Sequence, residues 1–259
     1  MKKFVKHFVI ILLGILAIYL LYRFLFLKPQ TQNNPEATEN SPFSVTKVML
    51  FSSAYGENKD TTFGQNNWIV DILQYSDIAI YLENGGADLS AENTVKKLWI
   101  EDIALSKPKI GTSSLYYLNS LNFGTAHFNE QNEIQEKLEF TVLNDKNIED
   151  NLQYNTPTFF TDCSNPITLK YVNHSVKSNY EITSDKPVSF NGKLLEMANI
   201  SLNDLKANLD FTIHIVANND EEFYQRLSLP IELENENNSI LEGSILVKND
   251  ARNLKFTKK

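Results

Sequence analysis

Residues Phe8 to Leu27 read FVIILLGILAIYLLYRFLFL, apolar throughout except for Arg23. At ~1.5 Å of rise per residue, a helix of this run matches a hydrocarbon core of ~30 Å. Arg23 lies within a turn of the end, where its side chain can snorkel to the headgroups. The run therefore predicts a single transmembrane helix, and everything after it has to fold on one side of a bilayer. Lys2, Lys3, Lys6 and the α-amino group precede it; Arg23 and Lys28 are followed by no basic residue until Lys47. The positive-inside rule then puts the N-terminus in the cytoplasm and the C-terminal region outside. A cleaved signal peptide needs a shorter apolar core and a small-x-small site, which Lys28 to Glu36 (KPQTQNNPE) does not offer. A lipoprotein signal needs a cysteine there, and the chain's single cysteine is Cys163. An uncleaved, single-pass signal-anchor is the expectation.

The segments follow from that anchor: a cytoplasmic stub at 1–7, the helix at 8–27 and a flexible linker at 28–44. The linker is rich in Pro and Asn and lacks an apolar period. From Val45 onward the chain carries 19 basic and 30 acidic residues, a formal −11. Such a surface repels nucleic acid and anionic lipid, so nucleic-acid binding is excluded and the membrane contact is left to the helix. One cysteine allows no intrachain disulfide. That poverty, with heavy Asn and Lys usage, points to a bacterial cell-envelope protein. The sequons at Asn173, Asn199 and Asn237 are then chance matches in an Asn-rich chain.

Beyond the linker the apolar residues recur with period two, the mark of half-buried strands. Strands are predicted at Val45–Phe51, Trp68–Leu73, Asp77–Glu83, Val95–Leu105, Ser114–Leu118, Asn122–Phe128 and Lys137–Leu143. Within Asp77–Glu83, Ile78, Ile80 and Leu82 share one face, and Asp77, Ala79, Tyr81 and Glu83 the other. A second series is predicted at Ile167–Val172, Asn179–Thr183, Pro187–Phe190, Lys193–Met197, Leu209–Ala217, Arg226–Leu233 and Ile240–Val247. Asn191-Gly192 reads as a hairpin turn. In Leu209–Ala217 the residues Leu209, Phe211, Ile213 and Ile215 face inward and His214 outward. Leu202–Leu209 allows at most two helical turns.

The fold class is thus all-β, a sandwich of immunoglobulin-like or jelly-roll-like type. The polar, aperiodic stretch Asn144–Pro157 suggests two sandwiches, at 45–148 and 158–259, joined by a linker at 149–157. One large sandwich drawing strands from both halves is the alternative.

No motif carries a chemistry. The histidines, His7, His127, His174 and His214, are scattered without metal-ligand spacing, and Asn84–Asp88 reads as a turn rather than a calcium loop. Cys163 follows Asp162, whose charge discourages a thiolate. The carboxylates Asp71, Asp77, Glu101, Asp102, Glu221 and Glu222 lie on or beside strands and read as a solvated face. Trp68, Trp99, Tyr75, Tyr81, Tyr116, Tyr117, Phe123 and Phe128 concentrate rings in the first half. Most of them, including both tryptophans, are expected in the core, with Tyr81 the candidate for an exposed sugar platform. No catalytic, cofactor or metal residue is assigned. The expected role is a non-catalytic envelope module that binds a protein or a cell-wall polymer. A carbohydrate-binding module is the alternative, and an envelope hydrolase the second.

Overall fold

The computed structural model describes residues 41–59, 67–85, 91–119, 124–144, 156–183 and 186–259. The expected stub, transmembrane helix and most of the linker lie outside the described residues. Among those described, no helix is long and apolar enough to cross a membrane.

Among the described residues, eleven strands build two sheets. The first contains β1 (Phe43–Asn58), β2 (Asn67–Asn84), β4 (Thr112–Tyr117), β7 (Ile167–Thr183) and β10 (Leu246–Lys255), in the order β10-β1-β2-β7-β4. The second contains β3 (Val95–Leu105), β5 (Leu138–Leu143), β6 (Thr158–Phe160), β8 (Asn208–Ala217), β9 (Glu222–Pro230) and β11 (Thr257–Lys258), in the order β11-β9-β8-β3-β5-β6. All pairings are antiparallel except β5 with β6.

The inner faces meet in one core. Val48, Leu50, Ile78, Ile80 and Leu169 from the first sheet pack with Leu98, Ile100, Phe211, Ile213 and Ile215 from the second. Rings lock the layers edge to face: Phe43 against Phe223 at 5.4 Å and Tyr117 against Phe140 at 6.1 Å. Each fully buried aliphatic or aromatic side chain contributes about 1.5–3 kcal/mol.

Both sheets draw strands from both sides of residues 144–157, which corrects the two-sandwich expectation. β2 pairs with β7 over most of its length, β3 with β8, and β1 with β10. The polar stretch instead connects two parallel neighbours, β5 and β6. Period-two patterning says that a strand has an inner face and nothing about which strand will lie beside it. The linker also ends sooner than expected: Phe43 and Ser44 already belong to β1, and Phe43 is fully buried.

Three local expectations fail for physical reasons. The predicted strands 68–73 and 77–83 are one strand, β2, because Gln74 and Ser76 between them are accommodated in the interior. Ser76 is held there by Ser52, the two hydroxyls 2.6 Å apart. The predicted hairpin around Asn191-Gly192 is absent. Lys193–Met197 (KLLEM) forms a short helix, α1, which buries the adjacent Leu194 and Leu195, a pair that a strand would split between its faces. The strand expected at Ile240–Val247 is a 3₁₀ turn at Ile240–Glu242 followed by β10.

Candidate binding cleft

The outer face of the first sheet is not the solvated surface that its carboxylate and lysine imply. Register places Asp77 of β2 opposite Lys170 of β7, and Tyr75 opposite Val172. On β1, Ser53 stands beside Tyr75 and Tyr55 beside Leu73. Tyr75, Tyr116 and Val172 form a second, smaller apolar cluster here, with Leu73, Tyr55, Ala126 and Phe128 packed on it.

The segment 124–128 covers this cluster, and side chains of the sheet hold it down. Gly124 N–H donates to Asp77 Oδ2 at 2.8 Å, and the Tyr75 hydroxyl donates to the Gly124 carbonyl at 3.0 Å. Lys170 Nζ donates to the Thr125 carbonyl at 2.6 Å. Gly124 has φ +82°, and a Cβ there would meet Ile245 Cδ1 at 2.3 Å, so the crossing needs glycine. A strand was expected over Asn122–Phe128; its described part is this crossing, without strand pairing.

Under that cover, Asp77 and Lys170 form an ion pair at 2.5 Å with both side chains fully buried. Burial pushes the Asp77 carboxyl up, partly offset by the lysine, and pushes the Lys170 ammonium down. Burial likewise raises the phenols of Tyr75 and Tyr116. His174 completes the far end: the Tyr116 hydroxyl lies 3.0 Å from its Nε2, Phe128 packs on its ring at 5.4 Å, and burial lowers its pKa.

Beside the crossing segment lies an open cleft of about 470 Å³. Tyr55, Tyr75, His127, Phe190, Asn191 and Ile245 line it. Asn191 is committed to structure, since its amide donates to the Gly243 carbonyl and its Oδ1 accepts the Lys193 N–H. His127 is exposed and Tyr55 half-buried, so both can meet a ligand.

The second sheet carries a different arrangement on its outer face. Trp99, His214 and Tyr224 stand in a row across β3, β8 and β9. Trp99 and His214 stack at 4.8 Å and 7°, and Tyr224 follows at 6.2 Å and 30°. Glu101 Oε1 lies 3.1 Å from His214 Nε2, and Glu222 Oε1 lies 3.4 Å from Nδ1. Lys137 Nζ sits over the Trp99 ring, 5.3 Å from its centre. The rings use their faces on one another, so the row does not offer the flat platform that sugar stacking needs.

The residues singled out from sequence are thus dispersed. Tyr81 lies under Lys47, whose Nζ is 4.2 Å from the ring centre. Trp68 is 45% exposed and Trp99 only partly covered, against the expectation that both tryptophans are core. Asp102 accepts a hydrogen bond from Thr212 Oγ1 at 3.1 Å, and Glu221 pairs with Lys258. Glu222 pairs with Lys259 at 2.8 Å, a contact that lowers its pKa. Asp71 accepts from the Asn179 N–H at 2.8 Å. Asp77 departs from the solvated-face expectation altogether. His214, expected to face outward, does so but is buried between its neighbours. Cys163 is buried, and its thiol is pushed up to about 12. Asn173 is fully buried, which removes that sequon from reach of glycosylation. His7 and Phe123 lie outside the described residues. Among the described residues no three His, Cys, Asp or Glu side chains are placed to share a metal ion.

No known protein family, curated protein or solved structure matches this chain.

Proposed function

We propose that this chain is a membrane-anchored, extracytoplasmic binding module of the bacterial cell envelope, and that its ligand is held in the cleft beside the 124–128 crossing. The apolar run at 8–27 supports the anchor, and the lysines before it support the orientation. The observation that carries the binding reading is the cleft itself. It presents the half-buried ring of Tyr55, an exposed imidazole at His127 and the aliphatic side chain of Ile245. That mixture of aromatic surface and hydrogen-bonding rim suits a saccharide unit, whose C–H face packs on a ring while its hydroxyls meet polar groups. A wall polymer is therefore the ligand class favoured over a protein. A non-catalytic role is supported by the commitments of the surface carboxylates: Asp102 to Thr212, Glu221 to Lys258, Glu222 to Lys259.

The test uses the full chain in detergent and solubilised cell-wall glycan fragments, with binding followed by calorimetry. Tyr55→Ala should weaken binding by about 1 kcal/mol, the scale of one lost ring contact, and, because the ring also packs on the Tyr75 cluster, lower the melting temperature while the protein stays folded. Tyr81→Ala, which alters a ring already covered by Lys47, should bind as the wild type does. A full chain that ignores every wall glycan overturns the saccharide reading, and release of new reducing ends overturns the non-catalytic one.

A further inference from the structure

A lysine and an aspartate with no exposed surface, opposite one another on neighbouring strands, have a chemistry besides ion pairing. We propose that Asp77 and Lys170 react with each other, closing an intramolecular isopeptide bond between β2 and β7. The proposal is independent of the ligand assigned to the cleft.

The atoms stand where that reaction needs them. Lys170 Nζ is 2.5 Å from Asp77 Oδ1, so the carboxyl carbon is one bond further on. Oδ1 is buried, and no described residue makes an aligned hydrogen bond to it, although Nζ is in contact. The amine hydrogens have other places to go. One points to the Thr125 carbonyl at 2.6 Å, and the Tyr75 ring face lies 4.7 Å from Nζ. A neutral amine so held turns its lone pair to the carboxyl. The other carboxyl oxygen, Oδ2, accepts the Gly124 N–H at 2.8 Å. That donor is placed to stabilise the negative charge that develops on Oδ2 as the carbon becomes tetrahedral.

The step balances within the pair. Nζ attacks Cγ of the protonated carboxyl and forms the C–N bond. One amine proton passes to Oδ1, the C–O bond breaks, and one water leaves with no change of oxidation state. The neutral forms that this requires are the ones burial favours, since it raises the Asp77 carboxyl and lowers the Lys170 ammonium. Exclusion of bulk water by the 124–128 crossing keeps the amide from being hydrolysed. Burying both ions carries a desolvation penalty for each, and the amide removes both charges.

The experiment is mass spectrometry of the full chain purified in detergent, intact and after proteolysis. The protein is expected to be lighter than its sequence by one water, with a branched peptide joining the Asp77 and Lys170 fragments. Asp77→Asn should give the same branched peptide by losing ammonia instead. Lys170→Arg should run at its sequence mass. Wild-type protein at its full sequence mass, with Asp77 and Lys170 recovered in separate linear peptides, overturns the proposal. So does a water loss that persists in Lys170→Arg. The wild-type measurement decides even where a variant fails to fold.

Discussion

Gln74 and Asn173 face each other on β2 and β7 inside the sandwich, both fully buried, joined by one hydrogen bond of 3.4 Å. Gln74 Nε2 and Asn173 Oδ1 find no further partner among the described residues. The two amides are not equivalent, because Asn173 Nδ2 also donates to the Ile110 carbonyl at 2.9 Å. Gln74→Leu therefore removes an unmet donor and should change unfolding free energy by less than about 1 kcal/mol, in either direction. Asn173→Leu strands the Ile110 carbonyl and should cost about 1–3 kcal/mol. Urea unfolding of the two variants decides it; equal losses would mean that Gln74 has a partner of its own.

Asp71 contributes to the loss of stability in acid. It accepts the Asn179 N–H where β7 takes a positive φ of 51°, and it lies 2.9 Å from Lys59. The Asn179 hydrogen bond is the first cause of its lowered pKa, followed by that to Lys59. A folded pKa below the unfolded one gives stability that is present above the unfolded value and lost as pH falls through the folded value. Asp71→Ala should cost about 1 kcal/mol at neutral pH. The gap between variant and wild type should close as the pH falls below 3.8, the ordinary aspartate value. A gap of constant size down to the acid transition would remove the carboxylate from the account.

Gly192 lies beneath the backbone of the 240–242 turn. A Cβ there would stand 1.5 Å from the Ile240 carbonyl oxygen. Backbone cannot swing aside as a side chain does, so Gly192→Ala should cost about 3 kcal/mol. Gly85→Ala is the matched control: its Cβ would come no nearer than 3.7 Å to the Pro42 carbonyl. Thermal melts of the two should differ by many degrees.

Cys163 should ignore thiol reagents until the protein unfolds. Burial, with the nearby Asp162 charge second, holds its thiol near 12, and only the thiolate reacts. Labelling at mildly alkaline pH should follow the unfolding rate across a urea series. Rapid labelling of the native protein would place the thiol at the surface.

The core was legible where apolar inner positions alternate with polar ones, as on β3 and β8. β3 was read at its observed bounds and β8 to within a residue. Phe211, Ile213 and Ile215 of β8 are buried as the alternation required. Ile213→Asp should accordingly unfold the sandwich, since an unpaired charge in that layer costs several kcal/mol. Strands covered on both faces misled, because alternation then no longer means solvent. A signal for Asp77 did exist: the residues sharing its face include Tyr75 and Ala79, and those sharing the face of Lys170 are Thr168 and Val172. Such neighbours describe a covered surface with one charge in it, on each of two strands. What no single sequence supplies is that the two strands are neighbours, or that Gly124 and Thr125 close over them. Lys193–Met197 failed for a different reason. The Asn-Gly turn signal outweighed a segment with no β-branched residue, and the helix it forms is only five residues long.

The pairing of β1 with β10 sets an order of events. Ser44 lies opposite Lys255, so the first of the described strands to be synthesised is hydrogen-bonded to one made about 200 residues later. Until β10 arrives, β1 can use only its β2 edge, and its other edge stays open to strands of other molecules. A ribosome delivering this chain from its N-terminus therefore exposes β1 long before the strand that completes its pairing has been made. Closing loops of that length makes folding slow, and the interval is when the chain is most prone to aggregate. Loss of residues 246–255 would make that interval permanent.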